Sequence, residues 1–196
     1  MAITRRQFVM GAAASALVLP FTSTAAALSL PTNYATEASA NAFWSEPRTL
    51  TLHRPASGEK GTFCYWKDGS IYRPGYEDVC HLLRDVQANE SKDMDIQLLN
   101  LLRGLTGWLD LSYGIRKPYE ITSGYRSPHT NNKTENAAKN SLHLKGQAID
   151  GRMEGIPVAY LGRLFAAFQT GGVGFYVNRA RGFVHADTGR VRYWVD

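Results

Sequence analysis

The chain has 196 residues, 44% of them hydrophobic, with 22 lysines and arginines against 17 acidic residues, a formal charge of +5. That length and apolar content suit a single folded domain and exclude a disordered or fibrous chain. The mild positive charge comes with no nucleic-acid motif, so DNA and RNA are not expected partners. Two cysteines are too few for a disulfide scaffold.

Thr4-Arg-Arg-Gln-Phe8 precedes a run of small and apolar residues from Val9 to Leu19, the twin-arginine export pattern. The run is shorter than the about 20 residues a bilayer span needs. Residues 1–27 therefore read as a signal peptide, with Ala25-Ala-Ala27 offering small residues for cleavage. Its removal takes away two arginines and no acids, lowering the charge from +5 to +3. The mature protein is expected in a bacterial periplasm, with no stable membrane partner and as a monomer. Residues 28–47, rich in Ser, Thr, Asn and Ala, read as a linker anchored by Phe43 and Trp44, and residues 48–196 as one domain.

The domain opens with a predicted hairpin: Arg48–Arg54, a turn over Ala56–Gly61, and Thr62–Lys67, with a short third strand at Ile71-Tyr72. Apolar spacing predicts helices over Tyr76–Gln87 and Asp95–Leu111. Cys64 and Cys80 are expected to remain unpaired thiols. Tyr119–Ser123 reads as a strand, 128–140 as a polar stretch with a short helix, and Gln147–Met153 as a strand. Pro157 opens a further helix, which Gly171-Gly172 stops. Strands follow near Val173–Tyr176, Gly182–Asp187 and Arg190–Trp194.

Chemistry gathers in two segments. Ser141-Leu-His-Leu-Lys-Gly-Gln-Ala-Ile-Asp150 holds His143 and Asp150 on either side of a Lys145-Gly146 turn. Gly182-Phe-Val-His-Ala-Asp-Thr-Gly189 holds His185. Two imidazoles and one carboxylate make the protein ligand set of a catalytic zinc site with a fourth position open. On a strand, Phe183, His185 and Asp187 share one face and Val184 and Ala186 the other. Asp187 is thus expected beside the metal, either as the group that takes a proton from water or as a partner fixing a ligand's tautomer. Arg126, leaving a strand end in Ser123-Gly-Tyr-Arg-Ser127, is expected to hold a substrate carboxylate or the developing oxyanion. His129 reads as a solvated loop residue, and His53 and His81 as incidental.

Ser123–Pro128, Ser141–Asp150, Gly171–Tyr176 and Phe183–Arg190 together resemble the murein endopeptidase K group (MepK/YcbK-like), within the zinc D-alanyl-D-alanine metallopeptidase superfamily. That superfamily shares its fold with the hedgehog signalling domain. The resemblance covers about Arg48 to Trp194. It implies an α+β fold: a small antiparallel sheet carrying the zinc site, flanked by helices, here with the N-terminal β-hairpin added. It implies one zinc per chain on His143, Asp150 and His185, and hydrolysis of diaminopimelate–diaminopimelate cross-links in peptidoglycan, with D-Ala–diaminopimelate links as a lesser target. Peptidoglycan stem peptides are then the partner, with Ser141 a substrate contact. Many members of the superfamily place a Glu three residues, or a His two residues, before the last histidine as general base. Gly182 and Phe183 stand there instead, which leaves Asp187 as the candidate base and Phe183 as a surface for the stem peptide. A zinc D,D-carboxypeptidase and a zinc-containing wall-binding module without turnover remain the alternatives.

Overall fold

The computed structural model describes residues 36–135, 137–178 and 181–196. The expected signal peptide, its cleavage site and linker residues 28–35 lie outside these. No helix among the described residues is long and apolar enough to cross a membrane.

The remainder of the expected linker is largely helical. Helix α1 spans Glu37–Ser45, capped by Thr36, whose hydroxyl accepts from the Ser39 amide while Ser39 returns the bond to the Thr36 amide. Phe43 docks against α3 (Ile96–Tyr113), whose Arg103 guanidinium lies 4.0 Å over the Phe43 ring and donates to its carbonyl at 2.9 Å. The Ser- and Asn-rich composition concealed a helix that owes its place to this tertiary contact.

The hairpin forms as expected from β1 (Arg48–Arg54) and β2 (Glu59–Lys67), with β3 at Ser70–Ile71. Helix α2 covers Arg73–Leu82 and stops well short of Gln87. Two neighbours explain the stop. The Asp85 carboxylate takes the Gln87 and Ala88 amides at 3.0 and 3.2 Å, and Arg54 takes the carbonyls of Leu82 and Arg84 at 2.8 and 2.7 Å. Those are the groups that would have continued the helical ladder. Asp95 caps α3 through the Gln97 amide, and Gly114 ends it in the left-handed conformation.

Strand β4 (Tyr119–Ser123), helix α4 (Pro128–Lys133), a 3₁₀ turn at Leu142–Lys145, β5 (Ala148–Met153), α5 (Val158–Ala167), β6 (Gly172–Tyr176), β7 (Phe183–Asp187) and β8 (Arg192–Val195) complete the chain. All eight strands join one sheet in the order β3-β2-β1-β4-β5-β7-β6-β8. The fold is α+β, but the sheet is mixed rather than antiparallel. β1 runs parallel to β4, and β6 parallel to β8. The long excursion through α2 and α3 returns β4 beside β1 in the same direction. β7 reverses the chain once, so β8, laid on the far side of β6, must run with it. The hairpin is therefore the outer part of the sheet that carries the site, not an appendage.

One face of this sheet is the core. Leu50, Leu52, Tyr119, Ile149, Met153, Val184 and Ala186 are buried, with α5 packed over β5, β6 and β7. Alternation sends Asp150, His185 and Asp187 to the opposite face. Cys64 and Cys80 are both free thiols.

Candidate metal centre

His143 sits on the 3₁₀ turn. The Ser141 hydroxyl accepts from the His143 amide at 3.3 Å, and Gly146 ends the turn at φ 68°. That left-handed position suits glycine, and an added Cβ would sit 2.6 Å from the Asp93 carbonyl. The turn is clasped by the segment after β4: Arg126 N donates to the His143 carbonyl at 3.2 Å, and His143 Nδ1 donates to the Gly124 carbonyl at 2.7 Å. With Nδ1 carrying the proton, Nε2 turns a lone pair toward β5.

There Asp150 is paired in register with His185 across β5 and β7. Asp150 Oδ1 lies 2.8 Å from His185 Nδ1 and 3.3 Å from His143 Nε2, and the two ring nitrogens are 3.2 Å apart. His143, Asp150 and His185 form a cluster able to offer one ligand atom each to a single metal ion. A tetrahedral zinc with bonds of about 2.0–2.1 Å separates its ligand atoms by about 3.3 Å. The donor set and its spacing fit such an ion.

Burial alone would raise the Asp150 carboxyl, but the imidazoles of His143 and His185 outweigh it and hold it well below the ordinary carboxylate range. Arg126 adds to this geometry. Its Nη2 donates to Asp150 Oδ2 at 2.6 Å and its Nε to Ser123 Oγ at 2.8 Å. Arg126 thus holds the carboxylate oxygen that Oδ1 leaves free. Burial opposes a proton on His185, yet bonds to Asp150 and Asp187 push its pKa up to about 9.

Asp187 lies on the other side of the His185 ring. Its Oδ2 accepts from His185 Nε2 at 3.0 Å and from Arg192 Nη2 at 2.6 Å. Oδ1 accepts from the amides of Gly172 and Gly189 at 3.0 and 2.8 Å and from Arg192 Nη1 at 3.1 Å. The residue is fully buried. Burial would raise its pKa, but the His185 and Arg192 bonds bring it down to about 2. Five donor nitrogens thus surround the two carboxylate oxygens. Oδ2 stands behind the His185 ring, where a partner fixing a ligand's tautomer would stand.

Phe183 shares the face of His185 and stacks on Tyr176 at 4.4 Å. Trp194 of β8 stands 5.2 Å from the His185 ring, and its Nε1 donates to the Tyr176 hydroxyl at 3.3 Å. His129 lies on α4, exposed.

Sequence reading missed several residues here. Asp85 takes the Ser127 amide at 2.8 Å and so anchors the segment that carries Gly124 and Arg126. Arg192, Trp194 and the Gly124 carbonyl gave no local signal, because each reaches the site through a sheet pairing or a loop contact. Arg152 had one: it stands two residues beyond Asp150 on the same strand, hence on the same face.

The family model described as "Peptidoglycan L,D-endopeptidase MepK" matches residues 42–194. The relative "Peptidoglycan L,D-endopeptidase MepK" from Escherichia coli (strain K12) is 37% identical over 152 residues, covering 76% of this chain and 80% of the relative. "Probable peptidoglycan L,D-endopeptidase MepK" from Haemophilus influenzae (strain ATCC 51907 / DSM 11121 / KW20 / Rd) is 33% identical over 157 residues, with the same shares covered. No solved structure matches the chain.

Proposed function

Because this chain belongs to the peptidoglycan L,D-endopeptidase MepK family, a family of peptidoglycan peptidases, we propose that it is a zinc-dependent murein endopeptidase cutting diaminopimelate–diaminopimelate cross-links in the periplasm. The observation that carries the zinc reading is the convergence of His143 Nε2, Asp150 Oδ1 and His185 Nδ1 within 3.3 Å of one another. Twin-arginine export of the chain and a monomeric enzyme belong to the same proposal.

In this reading His143, Asp150 and His185 hold zinc. Zinc, when bound, supplies a Lewis acid that polarises the scissile carbonyl and brings the pKa of a water toward about 7, where no strong protein base is needed. The chain's own groups supply position and charge. His143 is fixed by the Gly124 carbonyl and His185 by Asp187, so each presents a bare ring nitrogen. Arg126 locks Asp150 through Nη2. Its Nη1 makes no hydrogen bond among the described residues, and we assign to it the developing oxyanion of the carbonyl. Asp187 is a positioning residue and not the base. Ser141 and Phe183 line the approach of the stem peptide.

The test is incubation of the zinc-loaded protein with purified sacculi, followed by chromatography of the muropeptides. Loss of cross-linked dimers is expected. Shortened monomers in place of lost dimers would mean a D,D-carboxypeptidase, and sacculus retention without products a binding module. His185→Ala should lose both metal content and turnover. Dimer cleavage by that variant would sink the site assignment.

A further inference from the structure

On the open face of the sheet, one step along from the ligands, lies a second row of side chains. Arg152 follows Asp150 by two residues on β5, about 6.6 Å along the strand. Gly151 of β5 pairs with Val184 of β7, so the next position along both strands sets Arg152 opposite Phe183. Phe183 in turn stacks on its β6 partner Tyr176. A guanidinium and two aromatic rings therefore form a row parallel to the metal ligands.

The guanidinium is held but not used up. Arg152 Nε donates to Glu120 Oε2 at 2.8 Å, and Glu120 Oε1 lies 3.8 Å from His53 Nδ1. Glu120 is the β4 partner of Arg152 and His53 the β1 neighbour of Glu120, so all three share this face. Among the described residues, neither Nη1 nor Nη2 of Arg152 makes a hydrogen bond. The Arg152 side chain is 21% exposed, so those donors open to solvent beside the site. A planar fork held at Nε by a carboxylate, with both terminal nitrogens available, is built for a second, bidentate carboxylate.

We propose that Arg152, positioned by Glu120 and walled by Phe183 and Tyr176, binds a free carboxylate of the substrate one or two bonds beyond the scissile amide. This rests on the peptidoglycan reading above. An amide made through the side-chain amine of diaminopimelate leaves a free carboxylate on the carbon bonded to the scissile nitrogen. In an ordinary peptide bond that carboxyl is itself amidated. A cation one strand step from the metal ligands therefore distinguishes the cross-link from ordinary peptide. The hydrocarbon arm of diaminopimelate would lie on the aromatic pair. Arg126 is less suited to this task, since two of its three nitrogens are committed within the site.

The test uses two cross-linked dimers, one with that carboxylate free and one with it converted to carboxamide. The wild-type protein should cleave the free acid with kcat/KM roughly tenfold higher, through KM, as expected for a partly exposed charge-assisted contact. Arg152→Gln should abolish that preference, and Glu120→Gln should weaken it, with melting temperature and zinc content as controls for folding. Equal cleavage of both dimers by the wild type overturns the subsite while leaving the endopeptidase reading intact, and needs no variant. An equal loss on both dimers in Arg152→Gln overturns it too, by marking Arg152 as structural. If the wild type cleaves neither dimer, the endopeptidase reading fails. Calorimetric titration of the two dimers then decides the subsite: tighter binding of the free acid, lost in Arg152→Gln, supports it, and equal or absent binding overturns it.

Discussion

Asp187 Oδ2 lies 3.0 Å from His185 Nε2, on the opposite side of the imidazole from the nitrogen that faces Asp150. A carboxylate behind a ligand histidine fixes its tautomer and raises its basicity, and losing one typically costs ten- to a hundredfold in metal affinity. Asp187→Asn should therefore weaken zinc binding by about that factor, read by competition with a chelator. Turnover should return when zinc is raised to saturation. A variant fully loaded with zinc yet inactive would instead restore Asp187 to the role of base. Asp187→Ala should do more harm, destabilising the protein by about 3 kcal/mol in urea unfolding, because it strands Arg192 and two amides.

Metal uptake should release protons. The metal-free His185 has its pKa pushed up to about 9 by Asp150 and Asp187 against the opposing effect of burial, so near neutral pH it must lose a proton to become a ligand. Apparent zinc affinity should rise by close to tenfold per pH unit from about pH 7 and level off near pH 9. Calorimetry in buffers of different ionisation enthalpy should give close to one proton released per ion. Affinity independent of pH over this range would contradict the arrangement.

The metal-free protein should show a stability window of the matching sign. A raised histidine pKa stabilises the fold fully below its ordinary value of 6.5, and the contribution fades as pH rises through about 9. A lowered carboxyl pKa works the other way. The Asp187 contribution is present above 3.8 and is lost as pH falls through about 2. Urea midpoints in the presence of a chelator should thus be highest between about pH 4 and 6.5. Saturating zinc should then add stability, about 2.7 kcal/mol at a hundredfold excess over its Kd, read as an upward shift in melting temperature.

Asp85 supports the site from outside it. Burial would raise its pKa, but hydrogen bonds from Thr130, Ser127 and Ala88 bring it down to about 2, so it is a carboxylate at working pH. Asp85→Ala leaves the amides of Ser127, Gln87 and Ala88 without this acceptor, at a cost of about 2–4 kcal/mol. The Gly124–Ser127 segment should loosen with it, so zinc affinity should fall even though no ligand is touched. Unfolding and chelator competition on the same sample check both effects. Lost stability with unchanged zinc affinity would show that the segment holds without Asp85.

The Gly146 turn offers a backbone test. Gly146→Ala places a Cβ 2.6 Å from the Asp93 carbonyl at φ 68°, so the turn that presents His143 must shift. A loss of about 1–3 kcal/mol is expected, together with weaker metal binding. Wild-type affinity in this variant would show that His143 is placed by its Gly124 contact alone.

Much of this protein is determined by its sequence alone. The two motifs and the alternation of Phe183, His185 and Asp187 against Val184 and Ala186 are local patterns, and local patterns persist whatever the chain packs against. Tertiary structure decided the rest. Period-2 alternation assigns a residue to a face but names no partner strand, so the parallel pairings of β1 with β4 and β6 with β8 were not legible. The same holds for α1, a helix because Arg103 and α3 receive it. It holds above all for Asp187. Its position in the chain placed it beside the His-Asp-His cluster, but only the tertiary fold brought Arg192 and the Gly172 and Gly189 amides to its oxygens and set Oδ2 against His185 Nε2. A carboxylate's role depends on how many donors surround it, and those donors come from segments that sequence order keeps apart.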